Sequence, residues 1–499
     1  MLGKSLTFPL YPILLIWLEL VDGTLTNSTY FSVSSNISIP IDPLVAGIET
    51  SATLEAQRIS TYRKMHGLPT YNWGLGASPF QVPDEMLEAL RNNAHRKQYA
   101  TTEGIPELSK VISNTYSIDN YIISSNNVLV AAGLKQIIFD VQRAFGGEII
   151  HVVPFWVSYE EQTMLLGKKP LRIYTKEVND YKLQPEDIFE VCKDDPFKPR
   201  MIIFNNPVNP TGASYTVEEL RNLAEVIQQF NIIVFADEVY AGLEFNKKTV
   251  SIASFLPYQT IRASSLSKKY SAGGWRLGWA TFPNELEILK NAMAAIGSSS
   301  YSCGPVPEQY AAVVALQESE KMMTRRHHAI SVLSYIGGFY AQAFRKIGIT
   351  CPEPKAAWYL FISFEAYRDT LLGRGITTSA ELGLQLLTEI GFVSVAGEAF
   401  GMPPEKFVIR VSFVDFDGEA ALQDLESMVD LEMIESETII QWTPKMYESL
   451  ESLKQWLGVL LHRDINVVGS DETLFSQENS MLLDLSLDGK LNLVQEMVV

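Results

Sequence analysis

Cysteine is scarce. Only Cys192, Cys303 and Cys351 are present, widely separated, without the paired spacing of a zinc site and with one thiol left over if any two were joined. Neither a disulfide framework nor a structural metal is indicated. Basic residues are also in deficit: 40 Lys and Arg against 58 Asp and Glu give a net charge of -18 and a pI near 4.9. Such a surface repels phosphate backbones and anionic lipid, so nucleic acid is not an expected partner and membrane association is expected only through the N-terminal segment. Internal repeats and low-complexity tracts are lacking as well. The nearly uncharged apolar run Phe8–Leu20 is too short to span a bilayer comfortably. Lys4 precedes it, and Val21 and Gly23 follow at a spacing that resembles a cleavage site, so it reads as a targeting segment, a misplaced start or a structural cap. Sequons at Asn27 and Asn36 suit a secretory route, although such triplets are common by chance. The expectation is cytoplasmic, with export or an organelle as the alternative if residues 1–23 are a targeting segment.

What is plentiful is ordinary globular material. Hydrophobic residues make up 46% of 499, charged 20% and aromatic 11%, enough for a large core and for two domains with appended segments. Beyond residue 80, helical periodicity alternates with β-branched runs at Asn127–Val130, Glu148–Val153, Met201–Phe204 and Ile232–Phe235. Each run ends at Gly, Pro, Asn or Asp, and amphipathic stretches such as Val217–Phe230 lie between them. That pattern predicts a mostly parallel sheet wrapped by helices, with functional loops at strand C-termini. A long helical stretch, Pro307–Ala343, leads to strand signals at Trp358–Phe364 and Phe407–Phe413 around a helix at Ser379–Ile390, which reads as a smaller α+β domain. From Leu431 the chain turns acidic, with twelve acids to four bases and one amphipathic helix at Lys445–Leu461.

The chemistry concentrates in Ser265-Leu-Ser-Lys268-Lys269-Tyr-Ser-Ala-Gly-Gly-Trp-Arg276-Leu-Gly278, which follows a predicted strand. Hydroxyls and a guanidinium are natural phosphate donors, and a lysine held out of bulk water near a counter-charge can condense with a carbonyl, which makes Lys268 the candidate amine. Read alone, the segment is equally a basic surface turn over a buried Trp275. The segment resembles the cofactor-lysine signature of the class I/II pyridoxal-phosphate aminotransferases, fold type I.

That resemblance implies pyridoxal 5'-phosphate as cofactor, an α/β fold with a seven-stranded, mostly parallel sheet in a large α/β/α domain, and a smaller α+β domain. Residues 42–84 and 316–430 then build the small domain and 85–315 the large one, between a hydrophobic segment 1–41 and an acidic extension 431–499. Asp237, in Phe235-Ala-Asp-Glu-Val-Tyr240, matches the acid that pairs with the pyridinium nitrogen and keeps the ring an electron sink. In Asn205-Asn-Pro-Val-Asn209-Pro-Thr-Gly212, Asn209 matches the donor to the phenolic oxygen, with Tyr240 its companion. Trp156 matches the aromatic stacked on the ring and shares the substrate cavity. Gly133, Leu134 and Lys135 open a helix whose amides meet the phosphate, joined by Ser265 and Arg276. Arg410 and Gly76, with Asn209, match the grip on the substrate α-carboxylate, and Tyr99 a tyrosine that reaches the other subunit's phosphate, which implies a homodimer with shared active sites. Taken singly, these residues also read as N-caps, turn formers and core aromatics.

Two departures are visible: Ala77-Ser78 replaces the commoner acid-proline step, and Lys269 replaces a small residue. The expected activity is transfer of an amino group between an L-amino acid and a 2-oxo acid, with Lys268 as Schiff-base lysine and proton carrier, and Lys135 hints at a dicarboxylic donor. Elimination chemistry on the same cofactor, of the β or aminocyclopropane-forming γ type, or a non-catalytic protein that kept the fold, are the alternatives.

Overall fold

The computed structural model describes residues 40–45, 52–118, 121–246, 250–428 and 434–458. The apolar run at Phe8–Leu20 and both sequons lie outside them. Seven strands form the main sheet in the order Val128–Ala131, Gly278–Thr281, Thr260–Ser265, Ile232–Asp237, Arg200–Asn205, Glu148–Val153, Leu171–Tyr174. Only Gly278–Thr281 runs antiparallel to its neighbours; the remaining pairings are parallel. Of the β-branched runs read from the sequence, Glu148–Val153, Met201–Phe204 and Ile232–Phe235 are inner strands, largely buried on both faces as a parallel sheet covered by helices requires, and Asn127–Val130 gives the edge strand Val128–Ala131.

The covering helices follow from local chemistry. Val217–Ile227 starts at a reciprocal cap, in which Thr216 Oγ1 accepts from Glu219 N at 3.2 Å and Glu219 Oε2 accepts from Thr216 N at 2.7 Å. It then turns Leu220, Leu223, Ala224 and Ile227 inward. Such a cap contributes about 1 kcal/mol. Ser379–Ile390 carries the same device at Thr378 and Glu381.

The long stretch expected at Pro307–Ala343 is two helices, Val306–Gln317 and Glu320–Lys346. Glu318 breaks it at φ +31°, and Ser319 Oγ caps the second helix by accepting from Met322 N at 3.2 Å. Glu318 is held at the break by a two-pronged pair to Arg326, at 2.9 and 3.0 Å, and by Lys269 Nζ at 3.4 Å. Periodicity alone continues through residue 318, whereas the carboxylate's three cationic contacts stabilise the kink.

A smaller antiparallel sheet joins Val395–Ala396, Val408–Ser412 and Tyr359–Ser363, and Tyr71–Asn72 pairs in parallel with Phe392–Val393. The described part of the acidic tail, residues 434–458, is folded. Helices Ser436–Trp442 and Pro444–Trp456 bury Trp442, Met446, Leu450 and Leu453 in the main core, and Trp73 donates its indole N–H to Ser449 Oγ at 2.8 Å. Among the described residues, no helix is long and apolar enough to cross a membrane.

Candidate active site

Three of the parallel strands end at one place. Asn205 and Asp237 are the last residues of adjacent strands and stand opposite each other in register, Ser265 ends the next strand, and Trp156 follows the Glu148–Val153 strand. The loops leaving these ends, with Arg410 and Tyr359 from the small sheet, enclose a cavity of about 580 Å³. That volume lies within the usual range of small-molecule sites, roughly 300–1,000 Å³.

The cavity brings together Lys268, Asp237, Tyr240, Asn209, Trp156, Leu134, Lys135, Ser265, Arg276, Gly76 and Arg410. Gly133 lies just behind, where its φ of +89° opens the helix Leu134–Ala144, and a Cβ on it would stand 2.5 Å from Arg276 Nη2. Only glycine permits both the turn and the close approach of the guanidinium. Tyr99 is outside this cavity and 88% exposed.

Asp237 is fully buried, yet both its oxygens are engaged. Tyr159 O–H donates to Oδ2 at 2.6 Å and Val239 N–H to Oδ1 at 3.1 Å. Burial lifts its pKa to about 6, and these two donors and the nearby Lys268 pull the other way. The Asn205 side chain clamps the neighbouring loop, donating to Asp237 O at 2.9 Å while accepting from Asn209 N at 2.7 Å. Asn209 Nδ2 in turn faces Tyr240 O–H at 3.5 Å. Burial holds the Tyr240 hydroxyl well above its ordinary pKa, so it stays a donor.

Lys268 Nζ donates to Gly76 O at 2.5 Å and lies 5.8 Å from the ring centres of both Tyr240 and Trp358. Gly76 is glycine for a steric reason: a Cβ there would overlap the Tyr359 hydroxyl. The Ala77-Ser78 departure places Ser78 Oγ 2.7 Å from Ser271 Oγ, tying this segment to the lysine loop. Lys269 is buried against Glu318, away from this cavity.

Arg410 is the most exposing feature of the electrostatics. Its guanidinium is 1% accessible, and burial lowers its pKa. Nη2 donates to Gly74 O at 2.5 Å and Nη1 to Asn209 Oδ1 at 3.3 Å, Nε has no partner, and no acid lies within ion-pair range among the described residues. A buried cation left without a counter-charge is costly unless a ligand supplies one. Lys135 differs from it: the residue is exposed, its ammonium lies 5.0 Å from the Trp156 ring, and desolvation lowers its pKa while the nearby Glu161 carboxylate pulls the other way. Of the charged residues lining the cavity, Lys135, Lys268, Arg276 and Arg410 are cations and Asp237 is the single acid.

These residues fit pyridoxal 5'-phosphate. A cation-rich cavity suits its phosphate, the open N-terminus of the Leu134–Ala144 helix beside Arg276 offers amide donors, and an amine, an acid and two side-chain donors, Asn209 and Tyr240, line the same cavity. Sequence reading did not find Tyr159, Tyr359 or Asn205. Tyr159 lies three residues after Trp156 on the first turn of a helix, a signal that spacing could have supplied; Tyr359 reads as one more strand aromatic.

The sequence matches the family described as aminotransferase class I and II over residues 69–418. It is 31% identical to the aspartate aminotransferase of Geobacillus stearothermophilus over 397 residues, 77% of this chain and 96% of that one. It is 30% identical to the aspartate/prephenate aminotransferase of Cereibacter sphaeroides over 391 residues, 75% of this chain and 94% of the relative. The solved aspartate aminotransferase of Rhizobium meliloti superposes with a TM-score of 0.68 at 25% identity, covering 82% of this chain and all of that one. Agreement over nearly the whole length of such relatives, on a fold and cavity of this kind, means that the chain belongs to the class I and II aminotransferases and is a pyridoxal-phosphate-dependent transaminase.

Proposed function

We propose that this transaminase uses a dicarboxylic amino acid, aspartate or glutamate, as amino donor, with a 2-oxo acid as acceptor. The observation that carries the reading is the charge inventory of the cavity: four cations against one acid. Asp237 would face the ring nitrogen, Lys268 the aldehyde, Arg276 the phosphate and Arg410 the substrate α-carboxylate. Lys135 is then the cation left for a second carboxylate. The aspartate-using relatives support the same choice.

When bound, pyridoxal phosphate supplies a carbonyl that takes up the amino group and a ring that accepts the electron pair freed at Cα. The chain's own residues do the rest. Asp237 would face the ring nitrogen, whose positive charge when protonated would favour the carboxylate and offset the burial that lifts the Asp237 pKa. Asn209 and Tyr240 would donate to the phenolic oxygen, Trp156 would cover one ring face, and Ser265, Arg276 and the Gly133–Lys135 amides would hold the phosphate. Arg410 orients the α-carboxylate with two parallel hydrogen bonds, fixing which Cα bond faces the amine. Lys268 Nζ takes the Cα proton from the donor amino acid in one half-reaction and returns a proton to Cα of the oxo acid in the other.

Tyr99, exposed and outside its own cavity, supports a homodimer in which it reaches a second protomer's phosphate. Three unpaired cysteines support a reducing, cytoplasmic setting. A donor panel with 2-oxoglutarate or oxaloacetate tests the substrate: aspartate or glutamate should exceed alanine in kcat/KM by about tenfold or more, the worth of one additional charged contact. Equal rates for alanine refute the second-carboxylate role, and ammonia release in place of a new amino acid refutes transfer.

A further inference from the structure

We propose that Tyr359 is a positioning residue that sets how strongly Tyr240 donates to the cofactor's phenolic oxygen. This rests on the assignment of Tyr240 to that oxygen. The two hydroxyls lie 2.7 Å apart in a fully buried contact, with the rings edge to face at 5.6 Å. A tyrosine hydroxyl has one proton. Once Tyr240 gives its proton to a ligand, its oxygen can only accept from its neighbours. Asn209 Nδ2, at 3.5 Å, is a distant donor, and Tyr359 is the near one. The other acceptor open to Tyr359, Gly76 O, is also 3.5 Å away, so the Tyr359 proton goes to Tyr240. The result is a directional chain, Tyr359 to Tyr240 to ligand, in a dry site where each bond polarises the next.

The sheet holds Tyr359 for this task. Arg410 stands opposite Phe361, which makes Tyr359 its diagonal neighbour on the same face, and the guanidinium lies 4.9 Å from the Tyr359 ring centre. The missing side chain at Gly76 leaves room for the hydroxyl. One ring therefore touches both the residue that grips substrate and the residue that tunes the cofactor.

A donor to the phenolic oxygen stabilises its anion and lowers the pH at which the bound cofactor's visible absorbance titrates. In the holoenzyme, Tyr359→Phe keeps the ring and removes the donor. Its visible band should persist with the titration midpoint raised by up to about one pH unit, since a single hydrogen bond is worth about tenfold in proton affinity at most. Because Tyr359 acts through Tyr240, Tyr240→Phe combined with Tyr359→Phe should titrate where Tyr240→Phe alone does. A Tyr359→Phe midpoint that coincides with the unmodified enzyme overturns the proposal, and so does a double variant whose shift is the sum of the two singles. Should Tyr359→Phe fail to fold, 3-fluorotyrosine at position 359, a stronger donor of the same shape, must move the midpoint down; an unmoved midpoint overturns the proposal. Absence of any visible band in the unmodified, reconstituted enzyme instead refutes the functional reading on which this one rests.

Discussion

Replacing Arg410 by lysine keeps the charge and removes the fork. The guanidinium is 1% accessible and already has Nη2 on Gly74 O at 2.5 Å and Nη1 near Asn209 Oδ1 at 3.3 Å, so its fixed plane leaves further N–H donors for a carboxylate. An ammonium at the end of a flexible stem offers one such contact and competes with Gly74 O for it. Losing one hydrogen bond to a charged group costs about 1.5–3 kcal/mol, which predicts that kcat/KM for amino-acid donors falls by roughly 10- to 150-fold. Because Lys268 and Asp237 are untouched, the cofactor band should persist. Steady-state kinetics of both half-reactions, with absorbance spectra of the same preparations, measure the two together. Unchanged kcat/KM would remove Arg410 from substrate binding, and loss of the cofactor band would show that its role had been misplaced.

Four further outcomes are expected. Lys135→Met should lower kcat/KM for aspartate or glutamate by about tenfold or more while leaving alanine within about twofold, as one charged contact is worth that much; equal losses for all donors would assign Lys135 to the phosphate alone. Asp237 carries a folded pKa raised to about 6, so in cofactor-free protein its contribution is fully present below about pH 4 and is lost as pH rises through 6. The difference amounts to about 3 kcal/mol, so cofactor-free Asp237→Asn should show a flatter dependence of urea stability between pH 4 and 7.5, and an unchanged slope would contradict it. Tyr159→Phe removes the 2.6 Å donor to Asp237 and should weaken cofactor retention at neutral pH, measured by the spectrum after dialysis; full retention would show the contact to be idle. Ser449→Ala leaves the buried Trp73 indole N–H without its acceptor and should cost about 1–3 kcal/mol in urea unfolding, whereas no loss would mean that the C-terminal helix does not anchor this segment.

The legible parts of the fold were those governed by local pattern. Glu148–Val153 and Ser379–Ile390 appear with the bounds that periodicity predicts, because each carries its own stop signals. The Gly278–Thr281 strand was hidden where the lysine motif ends, because Gly-Trp-Ala-Thr lacks the β-branched run that marks its neighbours. Glu318 looked like an ordinary helix residue, and only its pairing with Lys269, distant in sequence, and with Arg326 on the following helix shows why the helix stops there. In the site, residues that carry distinctive chemistry at motif spacing, such as Lys268 and Asp237, were visible. Tyr159, Tyr359 and Asn205 act by where the sheet ends place them, and that depends on long-range register. The start of the acidic tail shows the same limit: composition marks it as an appendage, yet Met446, Leu450 and Leu453 are core residues.

The central claim is that one amine at the mouth of the parallel sheet, 2.5 Å from Gly76 O, carries the cofactor. Borohydride reduction of the reconstituted enzyme, followed by peptide mass mapping, tests it directly. The expected result is a single cofactor-derived mass on the peptide containing Lys268, at that residue. An unmodified Lys268, or the mass on the adjoining Lys269, would contradict the account.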